Sequence, residues 1–208
     1  MDVTTTIAIV AAYLVGSIPT SYLIGRWVGG VDIRQHGSGN VGASNLTSQV
    51  GAKWAAPVVV FDVFVKGSLP VFLVSSRYLD LGVGTEATVA IAAILGHNWS
   101  VFAKFQGGRG MATVLGTTLA LDFPLLIVYG SVPALGVLFT PWKDSAVWWL
   151  IAVIMMPIWA ALLNLPVELV IFSAVFALIT AFKRMTSNSL RDTSGTISAR
   201  LLLTRVVF

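Results

Sequence analysis

The sequence has no cysteine, only two histidines, and charged side chains at just 11% of its 208 positions. The missing cysteine excludes disulfides, thiolate metal ligands and a cysteine acyl carrier, so thioester chemistry is not available to this chain. An average soluble domain carries about 25% charged residues, so the scarcity of charge excludes water as the main solvent. No basic stretch precedes the first apolar run and no small-residue cleavage pattern follows it, which predicts an anchor helix there rather than a signal peptide. No repeat of about 20 to 50 residues is present, which excludes a solenoid.

Apolar residues, by contrast, make up 56% of the chain. They gather in six blocks, at about 6–28, 54–75, 86–102, 111–139, 146–163 and 167–182. A hydrocarbon core of about 30 Å takes about 20 residues of helix, so the expectation is an all-α, polytopic membrane helical bundle built as one domain over residues 1–208. The fourth block is too long for a single span. Asp122 and Pro124 lie near its middle, where a short helix turning into a second one and a single kinked span are equally compatible with the residues.

The basic residues bear on that ambiguity. They collect after the first block (Arg26, Arg34, Lys53), between the third and fourth (Lys104, Arg109), and in the tail (Lys183, Arg184, Arg191, Arg200, Arg205). Lys and Arg in short connections favour the cytoplasm. Placing all three groups there requires an odd number of crossings. The expectation is therefore seven transmembrane helices, some short, with the amino terminus outside and the carboxy terminus cytoplasmic.

Two glycine-rich connections stand on that side. Gly37-Ser38-Gly39-Asn40-Val41-Gly42-Ala43-Ser44-Asn45 combines glycines with hydroxyls and amides, and glycine lets backbone N–H groups approach an anion closely. A plain turn capped by Ser44 or Asn45 is the alternative. In Lys104-Phe105-Gln106-Gly107-Gly108-Arg109-Gly110-Met111-Ala112-Thr113, glycines surround a cation just before an apolar helix. A helix amino terminus with two nearby cations and the Thr113 hydroxyl suits a phosphate. The spacing is not that of a Walker A loop. A positive anchor with a flexible hinge is the plainer reading.

Other polar residues sit inside or beside the spans. Asp62 and Lys66 lie four apart in an apolar block, where an ionisable residue costs about 2.5–3.5 kcal/mol at the bilayer centre. They are either functional or neutralise one another near an interface. His97 is a candidate general base or phosphate donor near Trp99, or a hydrogen-bonding interfacial residue. Asn188 and Arg191 share a helical face and could clamp a phosphate, or rest with a basic tail on anionic lipid.

Together, Gly16-Ser17-Ile18-Pro19, the loop from Gly37 to Asn45, Lys66-Gly67 with Pro70, Gly96-His97, and Lys104 through Thr113 give the chain a resemblance to the membrane-integral acylphosphate-dependent glycerol-3-phosphate acyltransferases of bacteria. The resemblance implies a seven-helix fold in the bacterial inner membrane. It also implies transfer of a fatty acyl group from acyl phosphate to glycerol 3-phosphate, giving lysophosphatidate and phosphate. The implied partners are these two substrates and membrane lipid, with no cofactor, no metal and no nucleic acid; oligomeric state stays open. It implies catalytic roles for Ser38, Asn40, Asn45, His97 and Lys104. Substrate contacts are implied for Gly37, Gly39, Gly42, Ser44, Lys66, Gly107, Gly108, Arg109, Gly110, Thr113, Asn188 and Arg191. The chain departs from the family pattern at Ser48, where members usually carry Arg, and at Met185, where they usually carry His. Asp62 also stands one residue further from Lys66 than the family spacing. The alternative is a non-catalytic membrane protein or transporter that binds a phosphorylated metabolite or lipid.

Overall fold

The computed structural model describes residues 2–141 and 145–186. All regular structure among them is helical, in the order α1 (Val3–Gly16), α2 (Thr20–Gly29), α3 (Ala43–Val50), α4 (Ala52–Val60), a π-helical stretch (Phe61–Ser68), α5 (Leu69–Val74), α6 (Val83–Asn98), α7 (Met111–Leu121), α8 (Phe123–Phe139), α9 (Ser145–Leu162) and α10 (Val167–Thr186). Three helical runs, Val3–Gly29, Ala52–Val74 and Val167–Thr186, are long and apolar enough to cross a membrane, and shorter apolar helices accompany them. The chain is a multi-pass membrane protein.

The first apolar block, expected as one uninterrupted helix, breaks at Ser17-Ile18-Pro19. Pro19 has no N–H and leaves the helical region, so backbone groups at the break need other partners. The Ser100 hydroxyl supplies one by donating to the Ser17 carbonyl. Nearby, the Tyr13 hydroxyl donates to the Trp99 carbonyl at 2.8 Å, tying the same two segments. The fourth block resolves into two helices. α7 stops at Leu121, and an Asp122 carboxylate oxygen accepts the Leu125 N–H at 2.7 Å, capping α8 with Pro124 in its first turn.

Small residues set the helix crossings, as expected where lipid removes the hydrophobic drive between helices. A Cβ on Gly16 would lie 2.2 Å from the Ala93 carbonyl oxygen, and one on Gly96 would lie 2.2 Å from that of Tyr13, so α1 and α6 cross nearly backbone to backbone. The same holds where the π-helical stretch meets α7. A Cβ on Gly67 would stand 2.3 Å from the Thr113 carbonyl oxygen, and one on Gly116 only 1.8 Å from that of Val63. The main core runs through α6 and its neighbours, with Ile94, Val114, Tyr129, Met156, Phe172 and Phe176 buried in it. A second, small core of Ile33, Val41, Leu46, Ala55 and Val58 holds the 30–51 connection down on α4.

Candidate active site

The carboxy-terminal ends of α6 and α10 and the amino-terminal ends of α3 and α7 meet at one end of the bundle. Between them is a cavity of about 300 Å³. Asn40, Ser44, Asp62, His97, Arg109 and Arg184 supply its polar wall, and Val59, Met111, Leu115 and Trp149 its apolar wall. Two guanidiniums beside an apolar surface suit a ligand with an anionic head and a hydrocarbon chain.

The segment 107–110 is laid directly on the end of α6. The Gly108 N–H donates to the His97 carbonyl at 3.0 Å. A Cβ on Gly107 would fall 2.1 Å from that carbonyl oxygen, and one on Gly108 would fall 2.3 Å from His97 Nε2. Any side chain at these two positions would lift the loop away from His97. Gly110 has φ 76°, the left-handed conformation that turns the chain into α7. This packing brings Arg109 into the cavity wall, and burial draws its guanidinium below its ordinary pKa without neutralising it.

The segment 37–45 is built differently. The Asn45 amide donates to the carbonyls of Ile33 at 2.8 Å, His36 at 3.1 Å and Asn40 at 3.1 Å. Its oxygen accepts the Ser38 N–H at 3.3 Å. Gly37, at φ 59°, packs so closely that a Cβ would lie 2.3 Å from that oxygen. At the start of the connection, Arg34 closes on Asp32 through bonds of 2.9 and 2.7 Å and lies 4.4 Å from the Tyr22 ring centre. The Arg34 hydrogen bonds hold the Asp32 carboxyl down at about 2, well below its usual 3.8.

Beneath the cavity lies a charged group inside the span. The Lys66 ammonium is 2.6 Å from Asp62 Oδ1 and donates to the Thr20 hydroxyl at 3.1 Å. That hydroxyl donates in turn to Asp62 Oδ1 at 2.9 Å. Asp62 Oδ2 lies 3.6 Å from His97 Nδ1, which has no hydrogen-bond partner among the described residues. Asn40 Oδ1 is likewise buried without one. Buried polar atoms are nearly always satisfied, so two such atoms in one cavity wall mark a place for a polar ligand. The extra residue between Asp62 and Lys66 falls within the π-helical stretch. Four residues make about one turn in either kind of helix, so both side chains still share a face.

The structure separates the residues singled out in the sequence. Asn40, Gly42, Ser44, His97, Arg109 and Gly110 line the cavity. Asn45, Lys66, Gly108 and the fully buried Thr113 lie behind that wall, Gly37 is exposed over Asn45, and Gly39 and Gly107 line an adjoining cavity of about 310 Å³ that shares Asn40. Ser38 and Lys104 are exposed and line neither cavity, Lys104 with a left-handed backbone at φ 56°. Asn188 and Arg191 lie outside the described residues. α3 is capped by Gly42, not by the side chain of Ser44 or Asn45.

Sequence reasoning does not single out Arg184, Lys183 or Trp149 as site residues, and it marks Asp62 only as the partner of Lys66. Arg184 lines the cavity, and Lys183 donates to the Asn98 carbonyl at 2.5 Å with its ammonium 5.1 Å from the Trp99 ring centre. Their sequence signal was ambiguous, because bases at the end of an apolar helix also serve as membrane anchors.

Comparison with known proteins fits this arrangement. The family described as Glycerol-3-phosphate acyltransferase matches residues 6–192. The chain belongs to that family. It is 46% identical over 128 residues to glycerol-3-phosphate acyltransferase 5 of Dehalococcoides mccartyi, an alignment covering 61% of this chain and 54% of the relative. It thus spans about half the length of that curated relative. Among solved structures it resembles PlsY (YgiH), described as an integral membrane glycerol 3-phosphate acyltransferase. The glycerol 3-phosphate form gives a TM-score of 0.79 at 28% identity, covering 87% of this chain and 88% of that one. The lysophosphatidic acid form gives 0.78 at 27% identity, covering 97% and 93%.

Proposed function

We propose that this chain is an acyltransferase of phospholipid synthesis that moves a fatty acyl group from acyl phosphate to glycerol 3-phosphate. The observation that carries the reading is the convergence of Arg109, Arg184, His97 and Asn40 on one cavity with an apolar wall. Both substrates bear phosphate and one bears a hydrocarbon chain, so two cations and an apolar surface meet both needs. In the reaction a hydroxyl oxygen of glycerol 3-phosphate bonds to the acyl carbon. The bond from that carbon to the phosphate oxygen breaks, phosphate leaves with the electron pair, and the hydroxyl proton is balanced on the released phosphate. A mixed anhydride already has a good leaving group, so the protein's task is orientation and charge stabilisation. Arg109 and Arg184 stabilise the departing phosphate. His97, with its Nδ1 3.6 Å from the carboxylate of the Asp62–Lys66–Thr20 group, faces the reacting hydroxyl, and Ser38 and Lys104 meet substrate at the entrance.

Arg184 also answers the departure at Ser48. The Ser48 hydroxyl turns back to the Ser44 carbonyl at 3.3 Å and brings no charge, while α10 delivers a guanidinium to the cavity wall beside Ser44. On this reading the cation usual at position 48 is supplied from another helix. We read residues 1–208 as one domain of seven crossings in the bacterial inner membrane, with the amino terminus outside and the site and tail on the cytoplasmic side, as the placement of basic residues favours.

The test is phosphate release from acyl phosphate by the purified protein in lipid vesicles. Release that depends on glycerol 3-phosphate, with lysophosphatidate formed in equal amount, supports the proposal. Binding of both phosphates without turnover would favour the non-catalytic alternative instead.

A further inference from the structure

A second cavity, of about 650 Å³, opens at the other end of the bundle, where α5 ends, α6 begins and α7 passes into α8. It has no part in the chemistry above. Its wall is graded along its length. Ser76, Arg77, Glu86 and Asp122 stand at the outer end, and Phe64, Leu69, Phe72 and Phe123 line the rest. Phe64 and Ser75 lie eleven positions apart on nearly continuous helix, so the apolar part descends on the order of 15 Å toward the middle of the bundle. Phe64, Leu69 and Phe123 are 54%, 45% and 59% exposed, so this wall opens sideways to the hydrocarbon rather than upward to water.

The charges at the outer end do not neutralise one another. The ion pairs among the described residues involve Asp32 and Asp62, and none joins Arg77 to Glu86 or Asp122. Asp122 caps α8, and Glu86, in the first turn of α6, is a carboxylate with acceptor capacity of its own. A cation and a carboxylate over an apolar channel match, in order and polarity, the phosphate, ammonium and chain of a phospholipid. A soluble phosphorylated metabolite would leave the apolar length of the channel unused.

We propose that this cavity holds a phospholipid of the leaflet facing away from the active site. Its phosphate sits on Arg77, a primary ammonium headgroup on Glu86, and one acyl chain along Phe64, Leu69 and Phe123. The headgroup preference follows from charge. Two carboxylates in the rim disfavour an anionic headgroup, and a quaternary ammonium has no N–H to donate to Glu86.

The experiment is native mass spectrometry of the full chain, purified in detergent and stripped of lipid. Phosphatidylethanolamine, phosphatidylcholine and phosphatidylglycerol with identical acyl chains are then added in competition. The wild type is expected to retain phosphatidylethanolamine with roughly tenfold preference, the scale of one charge-assisted contact. Arg77→Gln and Glu86→Gln should each erase that preference, while Lys53→Gln, at the opposite end, should keep it. Equal retention of the three lipids by the wild type would overturn the proposal whatever the variants do. So would an unchanged preference in folded Arg77→Gln and Glu86→Gln, judged by thermal unfolding.

Discussion

The two glycine-rich segments look alike in the sequence but are used in opposite ways. In 37–45 the glycines let a loop curl around the buried Asn45 amide, which fastens it at four points. In 107–110 the glycines let the backbone lie flat on His97 and carry Arg109 into the cavity. One segment is shaped from within and, in the proposed function, offers substrate its rim, Ser38 and Asn40. The other is shaped by the helix beneath it and sets a charge in the cavity wall, which the proposed function gives to substrate. A glycine motif therefore says that backbone must come close to something, and only the fold says whether that is a ligand or the protein itself.

This contrast can be broken by substitution. Arg109→Ala should cause the largest loss, about 10²–10³-fold in kcat/KM for acyl transfer, on the scale of removing one preorganised donor to developing charge. Thermal unfolding should move little, and a large fall in stability would make Arg109 a structural residue. Asn45→Ala should do the reverse. Losing a buried amide that makes several hydrogen bonds costs about 2 kcal/mol of stability, read by thermal unfolding in detergent, with activity falling as the loop loosens. An Asn45→Ala protein of normal stability but no activity would return Asn45 to direct contact with substrate. Ser38→Ala should lower kcat/KM roughly tenfold, the effect of about one hydrogen bond to a charged group, with stability unchanged because Ser38 is exposed.

The smallest effect concerns pH. Asp32 has its pKa held at about 2, below the ordinary 3.8, so the stability it contributes is complete above about pH 4 and disappears as pH falls through 2. Thermal stability measured from pH 5 to pH 2 should therefore fall more steeply in the wild type than in Asp32→Asn, which has no such contribution to lose. Parallel curves would remove the Arg34 clasp from the account of the loop.

Much of the fold could be read from the residues, because apolar length and turn chemistry are local. Asp122 and Pro124 signalled the break between α7 and α8 by the chemistry that makes it, a capping carboxylate followed by proline. The break at Ser17-Ile18-Pro19 is not legible locally, since the Ser17 carbonyl is satisfied by the Ser100 hydroxyl, 83 positions away. The π-helical stretch was equally hidden, because nothing at Phe61–Ser68 announces it before Gly67 meets Gly116. For the site, the glycine loops and His97 were visible as local motifs. Arg184 was not, because only the packing of α10 on α6 decides between an anchor and a ligand contact.

Arg184 gives the most direct test of the account, since the cavity works as proposed only if that guanidinium replaces the one usual at position 48. The measurement is kcat/KM for glycerol 3-phosphate in the wild type, Arg184→Ala and the double variant Arg184→Ala with Ser48→Arg. The account predicts a loss of about 10²-fold in the single variant and a recovery of at least about tenfold in the double, as expected when one preorganised cation replaces another. Full activity in Arg184→Ala, or a loss that Ser48→Arg leaves untouched in a folded protein, would contradict it.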